Sequence, residues 1–128
     1  MNQYGISQAE WTLMKVLWQR GALTATDVHE ALAPETEWHA KTVRTLLGRL
    51  VAKGAVKREK RGGALRFSAI VAEEDCVREE GRSFLDRCFG GALKPMLAHF
   101  IESEEMDPET LRELRSMVEA KMKQRRKP

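Results

Sequence analysis

Residues 41–54, KTVRTLLGRLVAKG, constrain the fold more than any other stretch of this chain. Val43, Leu46, Leu47 and Leu50 recur at i, i+3, i+4 and i+7, one apolar stripe on a 3.6-residue period. The remaining surface carries Lys41, Thr42, Arg44, Thr45, Gly48, Arg49 and Lys53, with no acid. A solvated helix ordinarily mixes both signs, because like charges one turn apart repel. A dry face backed by an acid-free basic face suits a polyanion. Thr42, Thr45 and Arg49 fall in one row. Threonine and arginine can read base edges, and Gly48 permits close approach of a backbone.

Charge distribution supports this reading. The 128 residues carry a net charge of only +3. Residues 1–71 hold 11 Lys and Arg against 6 Asp and Glu, whereas residues 72–128 hold 11 against 13. Between Lys41 and Arg66 there are 9 bases and one acid, Glu59. A patch, rather than a uniformly basic surface, is the footprint of nucleic-acid binding.

Around that helix the chain reads as a mainly α protein with a small β-hairpin. Ser7 and Glu10 form a capping box that opens a helix over 8–20, stopped by Gly21. Its Ala9, Leu13, Val16 and Leu17 form one apolar face, and Trp11, Met14 and Trp18 another. Ala22-Leu23 is a link or a single rung of strand. Thr24 caps a helix over 25–33 ended by Pro34, and the third helix covers 39–53 with Gly54 beyond its end. Two short strands, 56–60 and 65–69, meet at Gly62-Gly63, a pair suited to a tight hairpin. Leu65, Phe67 and Ala69 alternate with Arg66 and Ser68 as in a half-buried strand. Three helices with tight joints and a basic hairpin make a winged helix-turn-helix. From Glu73 the pattern is helical, over 73–89, 92–103 and 108–124, with a charged, frayed tail QRRKP. The domains expected are 1–71, winged helix, and 72–128, a three-helix dimerisation domain.

Other chemistry has little support. His29, His39 and His99 each stand alone, and no CxxC or HExxH spacing occurs, so no metal, cofactor or enzyme activity is expected. Cys76 and Cys88 lie twelve residues apart on one helix, about 18 Å along its axis, too far for a disulfide. Both are expected to be reduced and half-buried. No signal peptide and no membrane span of ~20 apolar residues is recognisable, which predicts a cytoplasmic protein without membrane insertion. The competing reading is a winged-helix protein–protein module that lacks specific DNA binding. The acid-free third helix opposes it.

Four segments together resemble the BlaI/MecI penicillinase-repressor family, which includes the CopY-type copper repressors. They are ISQAEWTLMKVLW (6–18), KTVRTLLGRLVAKG (41–54), RFSAIV (66–71) and SFLDRCFGGALKPMLAHF (83–100). The resemblance implies a homodimeric repressor on a palindromic double-stranded operator, controlling β-lactam-resistance or stress genes. It implies that Thr42, Arg44 and Thr45 read or anchor in the major groove, with Lys41 and Arg49 on phosphate. The wing residues Lys60, Arg61 and Arg66 join this DNA-binding set. Phe84, Leu85, Leu97, Phe100, Leu111, Leu114, Val118 and Met122 are the expected dimer residues. Two departures stand out. The β-lactam branch is inactivated by a membrane sensor protease that cuts an Asn-Phe bond, and here the pair is His99-Phe100. The copper branch carries a C-terminal CxCxxxxC, and residues 117–128 contain no cysteine, which excludes induction by copper through that motif.

Overall fold

Ser7 begins the first helix in the computed structural model, which describes residues 4–126. The Ser7 amide donates to Glu10 Oε1 (2.8 Å) and the Glu10 amide to Ser7 Oγ (3.1 Å), so the expected capping box is present. Helix α1 (Gln8–Arg20) ends at Gly21, whose φ of 85° only glycine adopts at low cost. Strand β1 (Leu23–Thr24) leads directly into α2 (Ala25–Leu32), capped reciprocally by Thr24 and Asp27. Helix α2 ends one residue earlier than expected, with Ala33 as its C-cap. His29 Nε2 lies 2.9 Å from the Trp38 carbonyl and pins the loop that enters α3 (Ala40–Ala52). His39 is the N-cap of α3 rather than its first turn.

The hairpin consists of β2 (Val56–Arg61) and β3 (Ala64–Ala69), each a residue longer at the turn than expected. Gly62 and Gly63 have φ of 57° and 80°, the left-handed pair that a two-residue turn requires. The Ala22-Leu23 alternative resolves as a strand. β1 pairs antiparallel with β3, Leu23 opposite Phe67, giving the sheet order β1-β3-β2.

One core joins these elements. Leu13, Met14, Val16 and Leu17 of α1 meet Val28 and Leu32 of α2, the four stripe residues of α3, Ala55, Val56 and Phe67. The strand alternation holds for Phe67 but fails at Leu65, which is 47% exposed. Leu65 sits next to the turn and is not packed into the core cluster. Trp11 and Trp18 pack edge to face at 5.6 Å, and Trp18 Nε1 donates to the Val71 carbonyl at 2.9 Å.

Beyond the sheet run α4 (Glu73–Phe89), α5 (Leu93–Ser103) and α6 (Pro108–Arg126). The chain forms two compact units, divided between Phe84 and Leu85, whereas the functional boundary read from the sequence lies at 71/72. The start of α4 is tied into the first unit by Lys15 and Glu73, 2.6 Å apart. In the second unit Asp107 caps α6 by accepting from the Thr110 amide at 2.7 Å. α6 stays helical through Arg126, so the expected fraying is absent over 124–126, and 127–128 lie outside the described residues. Both cysteines are free, but they differ: Cys76 is buried and Cys88 exposed. Burial, with Glu79 and Asp75 nearby, pushes the Cys76 thiol up and keeps it protonated.

The expected dimer residues divide by burial. Leu97, Phe100, Leu111, Val118 and Met122 are exposed, while Phe84 and Leu114 are half-buried. Leu85, at 5% exposure, is already covered within the single chain.

Candidate nucleic-acid interface

Four buried side chains fix the rotation of α3. Val43, Leu46, Leu47 and Leu50 point into the core, and helical geometry turns Lys41, Arg44, Thr45, Gly48 and Arg49 outward. Thr42 is half-buried at the flank of that surface. Among the described residues no acid pairs with Lys41, Arg44 or Arg49, so the outer face keeps its positive charge.

Lys53 departs from the basic face read in the sequence. Its Nζ donates to the Gly5 carbonyl (2.8 Å) and to Oε1 of Glu10. Glu10 is 1% exposed, and its Oε2 has no hydrogen-bond partner. Burial pushes the Glu10 carboxyl up, but the Lys53 ammonium and the Ser7 amide and hydroxyl outweigh it and hold it below the ordinary carboxylate value. Lys53 thus anchors the end of α3 to the start of α1 rather than serving a ligand.

Register sorts the wing by face. Cross-strand partners share a side of a sheet, and neighbours along a strand alternate. Val56, Arg58 and Lys60 oppose Ala69, Phe67 and Leu65, so they lie on the side of Phe67, toward the core. Lys57, Glu59, Arg61 and Arg66 lie on the other side. There Glu59 bridges Lys57 (2.8 Å) and Arg61 (3.2 Å). The Lys57 hydrogen bond, the Lys57 charge and the Arg61 charge hold the Glu59 carboxyl down. Two of the wing's bases are therefore partly neutralised, Arg61 included, and Arg66 is half-buried in the central strand. Arg58, absent from the sequence-derived set, lines a cleft with Arg44 and Gly48 of α3. The two-residue turn pairs Arg61 with Ala64, and counting back from there places Arg58 opposite Phe67. That count was the signal available in the sequence.

Among the described residues no three His, Cys, Asp or Glu side chains are grouped to hold a metal, and no helix is long and apolar enough to cross a membrane.

The chain is similar to several known proteins. The methicillin resistance regulatory protein MecI of Staphylococcus aureus is 29% identical over 118 residues, spanning 92% of this chain and 96% of MecI. The penicillinase repressor of Bacillus licheniformis is 33% identical over 114 residues, 89% of each chain. The solution structure of the DNA-binding domain of the repressor BlaI superposes with a TM-score of 0.52 at 32% identity, covering 58% of this chain and 90% of that domain. The YusO protein of Bacillus subtilis shares the fold alone, with a TM-score of 0.53 at 18% identity over 95% of this chain and 77% of its own. Residues 6–120 match the penicillinase repressor family, and the chain therefore belongs to that family of DNA-binding transcriptional repressors, which are not enzymes.

Proposed function

We propose that this repressor binds a palindromic operator as a homodimer, with α3 in the major groove, and controls β-lactam-resistance or stress genes. The observation that carries the DNA half is the fixed rotation of α3, whose outward residues are basic, short or absent side chains without an acidic partner. Thr45 and Arg44, with Thr42 at the flank, then contact base edges, while Lys41, Arg49 and Lys60 meet phosphate. Arg61 and Arg66 play lesser parts, because one is bridged to Glu59 and the other sits in the central strand.

Residues 72–128 are assigned to dimerisation. Neither α5 nor α6 contains a buried residue, yet both carry large apolar side chains, Val118 being 58% exposed. Helices of this length draw most of their stability from packing an apolar face, and a second copy supplies it. Two linked winged domains reach two half-sites and gain affinity from the linkage. Phe100 is exposed, at 38%, and its ring meets that of His99 at 5.8 Å. A sensor protease acting between them would cut α5 and divide this apolar surface.

Selection of bound sequences from random duplexes tests the proposal. The expected product is an inverted repeat. Recovery of a single half-site, or of no sequence preference, would overturn it.

A further inference from the structure

We infer that the cleft between α2, α3 and the wing is a binding site for a small organic anion with an apolar body, of the aromatic monocarboxylate class, and that its occupant excludes operator DNA. The second half of this inference rests on α3 being the DNA-contacting helix.

The cleft has a volume of about 530 Å³, within the ~300–1,000 Å³ of small-molecule sites. Its charged walls are Arg44 of α3 and Arg58 of β2, brought together by the register of the hairpin. No acidic residue lines it, and neither guanidinium has a carboxylate partner among the described residues. Two like charges on one concavity raise each other's energy, and an anion between them relieves both. Thr26 adds a hydroxyl; that of Thr24 already caps α2 by accepting from the Asp27 amide.

The other walls are hydrocarbon. Ala25, Leu65 and Phe67 line the same space. Phe67 belongs to the core, but Leu65 is 47% exposed and packs into no core, although its strand row points inward. A small anion without an apolar body uses the two guanidinium groups and leaves Leu65 uncovered. A flat apolar body lying on Leu65 with its carboxylate between Arg44 and Arg58 uses both features. Arg44 would then serve ligand and DNA alternately. By linkage, each lowers the affinity of the other by the same factor.

The test is a titration of benzoate into the ¹⁵N-labelled full-length protein at constant ionic strength, with acetate as the matched anion lacking the apolar body. Saturable shifts are expected at the amides of Thr26, Arg44, Arg58 and Leu65, with acetate weaker by about tenfold or more. Leu65→Ser, at an exposed position, should keep the fold, as judged by the unshifted amides outside the cleft, and weaken benzoate by about tenfold. With benzoate at ten times its Kd, operator affinity measured by fluorescence anisotropy should fall about elevenfold in the wild type. No saturation, saturation at other amides, an equal response to acetate, or unchanged operator affinity at saturating benzoate would each overturn the inference. Failure of the DNA reading looks different: no selected duplex binds with or without benzoate, and the titration of the free protein still reports on the cleft.

Discussion

Replacing Lys53 by methionine isolates the tie between α1 and α3. Methionine keeps the aliphatic stem and removes the ammonium that meets Glu10 Oε1 and the Gly5 carbonyl. Glu10, 1% exposed in the wild type, is left with one oxygen without a partner and the other held by Ser7. Removing one member of a buried pair leaves an uncompensated charge and costs roughly 3–5 kcal/mol. The lysine side chain is 32% exposed, so water reaches this pair, and the lower end, about 3 kcal/mol, is expected. The pH dependence has a definite sign. In the wild type the folded-state value of Glu10 is lowered, so the pair's stabilisation is present above the unfolded value of 4.5 and lost as pH falls through the folded value. In Lys53→Met only burial and Ser7 act on the carboxyl, its value rises, and the variant's deficit shrinks as pH falls and the group is neutralised. Urea unfolding followed by tryptophan fluorescence at fixed protein concentration, at pH 7 and near pH 4, measures both effects. Glu10→Gln on the Lys53→Met background keeps a capping residue while removing the charge, and should restore most of the loss. A cost under about 0.5 kcal/mol at pH 7, or one that does not change with pH, would refute the buried-charge argument.

Arg58→Ala should weaken binding to all duplexes and reduce the salt slope by about one unit, whereas Arg61→Ala, already bridged to Glu59, should do less. Equal effects in a salt-titrated anisotropy assay would remove the distinction between the two faces of the wing. A Cβ on Gly48 would meet nothing within 4 Å, so Gly48→Ala should stabilise α3 by up to about 1 kcal/mol in thermal unfolding while lowering operator affinity. Unchanged affinity would mean that DNA does not approach this turn closely. Val118→Asp should yield monomers by light scattering, and a stable dimer would move the interface off α6. His99→Asn should speed cutting of the His99-Phe100 bond by a β-lactam sensor protease, and equal cleavage of the unaltered protein would make asparagine dispensable there.

Much of the fold was legible because its signals are local. Caps at Ser7 and Asp107, the stop at Gly21, the stripe of α3 and the glycine turn each depend on residues a few positions apart. Resemblance over most of the chain pointed to the same family that the comparisons found.

What tertiary structure decided concerns pairs distant along the chain. Lys53 reads as part of a basic face until Glu10, 43 positions away, takes its charge inward. Arg58 reads as anonymous until the hairpin register turns it toward Arg44 of α3. Leu65 fits the alternation of a buried strand, but whether an inward-pointing leucine is covered depends on which side chains of other elements pack against it. Periodicity determines which way a side chain points. Only the packing of elements remote in sequence determines what it meets there, and so which charges remain available to a ligand.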